Sequence, residues 1–177
     1  QYIRPVCVYI NGIYNGFYWM HSQYNESYFK ERYGNYSGNM VILGDTETTK
    51  VTDSEDLLSD LYAAEYMEIY NYLSALDLTN DKSYQAVAGF VDVENYLQYY
   101  ALQIYMGNID WPTNNVKVYR YVSDKNAYQA NTVFDGRYRY LLYDADSSMG
   151  YGYVRDSLDI MASADILQDL LDGDDSP

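Results

Sequence analysis

Tyrosine occupies 25 of the 177 positions in this chain, and that constrains the interior more than any other feature. A buried tyrosine contributes a large ring but keeps a hydroxyl that needs a partner or water. The 48% hydrophobic content therefore overstates the dry core available. The expected interior is broad, amphipathic and laced with hydrogen bonds, in a chain long enough for one domain with a real core.

Twenty-six acidic residues against 11 basic ones leave a formal charge of −15. Such a surface repels a phosphate backbone, which argues against nucleic-acid binding by counterion release. It suits divalent cations and basic partners. The single Cys7 excludes an internal disulfide. Within the alternating run Val6-Cys7-Val8-Tyr9-Ile10 it reads as a small core residue of a strand rather than a nucleophile. No apolar stretch approaches the length of a membrane-spanning helix. The chain starts without Met on a strand-like run and stops at Gly173-Asp174-Asp175-Ser176-Pro177. The expectation is a single domain over residues 1–177, truncated at both ends.

Two β-rich runs, Val6 to Ile10 and Ile13 to Trp19, flank Asn11-Gly12. Asn-Gly between such runs signals a type I′ hairpin, whose two central residues need positive φ. Ser22 to Tyr33 reads as a short helix ended by Gly34. Residues 35 to 53 read as a loop with one strand near Met40 to Leu43. A long helix is expected from Asp53-Ser54-Glu55-Asp56 to about Leu76. Its apolar stripe is Leu57, Leu58, Leu61, Ala64, Tyr66, Ile69 and Leu73, and the acids of its first turn complement the helix dipole. Residues 77 to 90 read as a connection. Asp92 to Tyr105 is a second helix, with Val93, Leu97, Ala101 and Ile104 on one face, ended by Gly107. Val116 to Val122 and Tyr138 to Tyr143 are strands around a polar loop, and a last helix is expected over Asp156 to Leu171. The class is α+β, antiparallel hairpins packed against several helices.

Between the second helix and the last strand lie the residues that carry chemistry. Asp110-Trp111-Pro112-Thr113-Asn114-Asn115 is a polar turn after a helix, and Tyr140-Leu141-Leu142-Tyr143-Asp144-Ala145-Asp146 ends a strand in two carboxylates. The intervening hairpin offers a way to bring the two turns together. An Asp, an Asn five residues on, and an Asp after a later strand form the residue set of a protein-kinase active site. There one Asp orients the acceptor hydroxyl, and the Asn and second Asp hold magnesium. Each residue also has a plain reading. Asp110 is a helix-end turn residue, and Asn114 and Asn115 are turn formers tolerant of positive φ. Asp144 and Asp146 are solvated acids at a strand end, or a pair that needs a cation, a proton, or a basic neighbour such as Arg137 or Arg139. Trp19 and Trp111 read as core anchors, with adenine stacking by Trp111 as the alternative, and the lone His21 reads as structural. The tyrosines of the two long helices read as packing residues, with a sugar-binding platform as the alternative. The acidic tail of Asp169, Asp172, Asp174 and Asp175 reads as solvated.

Four ordered blocks resemble one family. Pro5-Val6-Cys7-Val8-Tyr9-Ile10-Asn11-Gly12-Ile13-Tyr14-Asn15-Gly16-Phe17-Tyr18 resembles the "PVxxYLNGxYxGxY" hairpin of CotH-type proteins, the spore-coat protein kinases and their bacterial surface relatives. Phe90-Val91-Asp92-Val93 through Gly107-Asn108-Ile109-Asp110-Trp111 is similar to that family's helix and its "GNxDW" ending. Asn114-Asn115-Val116-Lys117-Val118-Tyr119-Arg120 resembles its "NNxxxYR" strand. Tyr138 through Asp146 is similar to its "WxxxPWDxD".

The resemblance implies an atypical kinase fold that binds ATP with Mg²⁺ (or Mn²⁺) and phosphorylates serine on a coat or surface protein, Ser-rich and basic in character. It places Asp110 as the catalytic aspartate, Asn115 and Asp144 at the cofactor, and Asn115, Asp144 and Asp146 as metal ligands. It also implies an extracytoplasmic location, at the cell surface or in the spore coat. Two features depart from the pattern. Ser22 stands where the family's "YxLxE" carries an acid, and the upstream strands that would hold a phosphate-binding Lys are absent from this segment. The rival expectation is therefore a degenerate CotH-like surface, adhesion or scaffold module that does not bind ATP.

Overall fold

The computed structural model describes residues 3–44, 50–51, 58–112, 114–123 and 125–149. The helix opening at 53–56, the last helix at 156–171 and the acidic tail lie outside the described residues. The chain divides into two compact units, residues 1–36 and residues 37–177. Together they are α+β, with four helices and two antiparallel sheets among the described residues.

In the first unit, β1 (Ile3–Ile10) and β2 (Ile13–His21) form an antiparallel hairpin closed by Asn11-Gly12. Asn11 has φ 51° and Gly12 φ 82°, the positive values that a type I′ turn requires. The register slips between Val8 and Tyr9, so Val8 pairs with Gly16 and Tyr9 with Tyr14. Cys7 and Trp19 are exposed, Trp19 at 59%, which overturns their placement in a core. The alternation that announced the strands says nothing of what covers either face. Trp19 instead meets Phe17 edge-on at 5.6 Å.

Helix α1 (Glu26–Tyr33) starts later than Ser22 because Asn25 is its cap. The Asn25 side chain accepts from the Tyr28 N–H at 3.0 Å. Gly34, with φ 78°, ends the helix. Tyr24 meets Tyr28 and Tyr28 meets Phe29 edge-on, Phe29 stacks on Tyr33, and Phe29 is buried.

The second unit is built on a four-stranded sheet in the order β4-β3-β5-β6. Its strands are β3 (Asn39–Gly44), β4 (Lys50–Val51), β5 (Lys117–Val122) and β6 (Arg139–Leu141). Helices α2 (Leu58–Ser74), α3 (Asp81–Phe90) and α4 (Val93–Met106) complete it. Helix α3 corrects the reading of 77–90 as a connection. Asn80 caps it by accepting from the Ser83 N–H at 3.0 Å, and Asp77 organises the turn before it by accepting from Thr79. Those polar residues looked like a loop because they initiate a helix.

Tyrosine rather than the aliphatic stripe forms the buried face of α4. Leu97 is 60% exposed, while Tyr99, Tyr100 and Gln103 are buried. Tyr96, Tyr99 and Tyr100 surround Tyr140 of β6 with ring centroids 5.4, 5.1 and 6.1 Å away. On α2, Tyr62, Tyr66 and Ile69 pack against Val41, Leu43, Val118 and Tyr138, while Leu61 is exposed. Tyr140 touches both clusters. Burial pushes the phenols of Tyr66, Tyr99 and Tyr138 up to about 12, so they stay neutral. This is a packed core of rings, and these helix tyrosines are packing residues.

The free edge of β6 is closed by a side chain. Asn95 of α4 accepts from the Tyr140 N–H at 2.6 Å and donates to the Tyr140 carbonyl at 3.4 Å, in place of a further strand.

Candidate active site

Register brings the two polar corners to one end of the β5–β6 hairpin. Lys117 pairs with Leu141, and the strands run antiparallel. Two steps outward along each strand reach Asn115 on one side and Tyr143 on the other, next to Asp144. Asn115 donates its side-chain N–H to the Asp144 carbonyl oxygen at 3.2 Å. Both residues adopt left-handed backbone, with φ 63° and 49°. Asn and Asp tolerate that region better than other side chains do.

The loop bearing Asp110 joins the same end through backbone bonds. Gly107 closes α4 in the left-handed conformation, with φ 60° and ψ 44°. Beyond it, Ile109 donates to the Ser147 carbonyl at 3.0 Å, and Met149 donates to the Met106 carbonyl at 2.6 Å. These two bonds fasten the segment after Asp146 to the segment before Asp110. Asn114 N–H returns to the Asp110 carbonyl at 2.9 Å, so Asn114 closes the turn with its backbone while its side chain is exposed.

Electrostatics report the same proximity. The Asp144 carboxyl is held above its usual range by partial desolvation, then by the charge and hydrogen bonding of Asp146 and by the charge of Asp110. Lys117 pulls it the other way. Asp110 and Asp146 thus each lie within electrostatic reach of Asp144, and Asn115 is tied to it. Among the described residues no group of three or more His, Cys, Asp or Glu is placed to hold a metal ion. Asp144 and Asp146 are neighbouring carboxylates, and Asn115 adds an amide oxygen. Such a set matches magnesium, which is bound through one or two carboxylates and takes its remaining ligands from water and phosphate oxygens.

Arg137 and Arg139 do not neutralise these acids. Arg139 bonds Asp135 at 2.8 and 2.9 Å and Asp92 at 2.9 Å, and Arg137 bonds Asp135 at 2.8 Å. Trp111 is 2% exposed and meets Tyr99 and Tyr100 edge-on, so it is a core anchor with no face open to a nucleotide base. His21 is exposed at the end of β2.

Sequence reasoning passed over three contributors. Lys117, whose ammonium sits 4.3 Å from the centre of the Tyr143 ring, brings a cation to the edge of the acidic corner. Ser147 supplies the carbonyl that anchors Ile109. Asn108, fully buried, holds the Asp110 N–H at 3.3 Å. Its place two residues before Asp110 was visible, but its burial was not. No helix among the described residues is long and apolar enough to cross a membrane.

Comparison with curated proteins finds no match. The family model described as CotH kinase protein matches residues 1–169, nearly the whole chain. With α+β architecture and acidic corners that meet at one hairpin end, the chain belongs to the CotH kinase protein family.

Proposed function

We propose that this chain is a CotH-like domain that transfers the γ-phosphoryl group of ATP to a serine of a coat or surface protein, with Mg²⁺ or Mn²⁺. Family membership supports a kinase-type function in general. The observation that carries the specific reading is the hydrogen bond from Asn115 to Asp144, with Asp110 within electrostatic reach. In this reading Asn115, Asp144 and Asp146 offer oxygen ligands to the cation. A magnesium ion held by these residues would supply positive charge against the phosphate groups. Asp110 aligns the serine hydroxyl and accepts its proton. The serine oxygen forms a bond to the γ-phosphorus as the bond to the β,γ-bridging oxygen breaks, and ADP leaves. The acidic surface favours a basic, Ser-rich acceptor, and the family points to the cell surface or spore coat.

Phosphate incorporation into a basic, Ser-rich protein tests this, with the full-length protein and its Asp144→Ala variant compared in Mg²⁺. The expected loss is about 100-fold or more, in line with removing a group that stabilises transition-state charge. Equal incorporation by both would overturn the metal assignment. Ser22, in the slot where the family pattern is acidic, favours a second reading, a scaffold or adhesion module without ATP binding. Titration calorimetry with ATP and Mg²⁺ or Mn²⁺ that gives no heat would establish that one instead.

A further inference from the structure

Two primary amides are sealed in the core directly behind Asp110. Gln103 of α4 is 0% exposed and Asn108 1%. Gln103 Nε2 donates to the Tyr99 hydroxyl at 3.1 Å, and Asn108 Nδ2 donates to Gln103 Oε1 at 3.0 Å. Asn108 Oδ1 then accepts from the Asp110 N–H at 3.3 Å. The run is a continuous relay from a helix side chain to the backbone of the proposed catalytic residue.

Stability alone does not call for this arrangement. Replacing both members of a buried polar pair with apolar groups of the same shape is close to neutral, whereas leaving one amide unpaired is costly. What the relay adds is direction. Gln103 is held at both ends, so the Asn108 carboxamide has one orientation, and its oxygen faces the Asp110 amide. The other ties on this loop, Ile109 to Ser147 and Asn114 to Asp110, are backbone bonds within the surface corner itself. Asn108 adds a side-chain link from the corner to the buried face of α4, beside the backbone bond from Met149 to Met106 at the end of the helix.

We propose that Asn108 and Gln103 are positioning residues that fix the Asp110 carboxylate for alignment of the acceptor hydroxyl, a role that rests on the phosphoryl-transfer reading above. A displacement of about 1 Å in such a group can cost on the order of 100-fold in turnover. The relay therefore acts on kcat and leaves binding of magnesium and ATP to the opposite corner unchanged.

Two measurements on the full chain decide it. Hydrogen exchange read by NMR follows the Asp110 amide in Asn108→Ala. The expected result is at least tenfold faster exchange at Asp110 with the Tyr99 and Tyr100 amides unchanged, and equal protection in wild type and variant would overturn the proposal. This arm needs no activity, so it stands even if wild-type protein transfers no phosphate and the proposed function falls. The second arm compares Gln103→Leu with Gln103→Glu. A neutral buried Glu still accepts from Asn108 and donates to Tyr99, so Gln103→Glu should lower Tm yet keep kcat within about threefold of wild type. Gln103→Leu should lower kcat about 10- to 100-fold with KM for ATP unchanged. A fall in kcat that simply tracks Tm across both variants would show a merely structural role and overturn the proposal.

Discussion

Asn115 reaches across 29 residues to donate to the Asp144 carbonyl, and both ends of that bond lie in left-handed backbone. The bond uses the Asn115 N–H and leaves out its amide oxygen, the atom that the proposed function offers to a cation. It also holds the Asp144 main chain while the carboxylate projects from an exposed corner.

Replacing Asn115 separates these roles. Asn115→Ala loses the bond and the oxygen in a backbone region that disfavours alanine. Asn115→Gly loses both groups but relieves the backbone. Calorimetry should show Mg–ATP affinity falling about 10-fold or more in both variants, on the scale of losing a metal-site partner. Urea unfolding should find the Gly variant the more stable by roughly 1 kcal/mol. Unchanged affinity in both would remove Asn115 from the metal site.

Asp144 gives a pH signature. Its folded pKa is raised, so its contribution to stability is present below the unfolded value of 3.8 and is lost as pH rises through the folded value. At neutral pH without a cation, the acidic corner therefore works against folding. Asp144→Asn should raise Tm, by an amount that grows as pH rises from 3.8 through the folded pKa and then levels off. Added Mg²⁺ should raise the Tm of wild type alone. A Tm difference independent of pH would contradict the repulsion between Asp144 and Asp146.

The Arg139–Asp135 pair is shielded from water, with side chains 6% and 7% exposed. Burial works against the ionised Asp135, yet hydrogen bonds from Arg139 and Arg137 together outweigh it and hold the carboxyl below its usual range. Asp135→Ala leaves Arg139 with Asp92 as its carboxylate partner and should cost about 3 kcal/mol in urea denaturation. The stabilisation from a lowered carboxyl exists above pH 3.8 and is lost as pH falls through the folded pKa. The gap between wild type and Asp135→Asn should close in that acid range, and a gap that widens there would refute the assignment.

Helix α4 tests which face carries the core. Tyr100 is 8% exposed and lies 4.9 Å from the Trp111 ring, whereas Leu97 is 60% exposed. Tyr100→Ala should cost about 3 to 5 kcal/mol, and Leu97→Ala under about 0.5 kcal/mol, by chemical denaturation. Similar losses would mean that the aliphatic stripe is buried after all.

Local chemistry was legible before any coordinates. The Asn11-Gly12 turn and the Gly107 stop each depend on the conformational preference of one or two residues, and each forms as read. Helix α3 escaped because Asn80 and Asp77 serve loops and helix starts alike. Burial was read less well. Hydropathy ranked Leu97 above Tyr100 and placed Cys7 and Trp19 inside. A ring with a hydroxyl packs wherever its neighbours are also rings, and alternation marks a strand without naming its cover.

Residue types alone told which side chains are able to hold a cation or orient a hydroxyl, because that ability is a property of carboxylates and amides. Which of them meet was a matter of tertiary structure. The pairing of Lys117 with Leu141 sets Asn115 beside Asp144, and the bond from Ile109 to Ser147 draws in the loop of Asp110. The same geometry turned Arg137 and Arg139 to Asp92 and Asp135 rather than to Asp144 and Asp146. Proximity across 29 residues is decided by strand register and loop anchoring, which no single stretch of sequence contains.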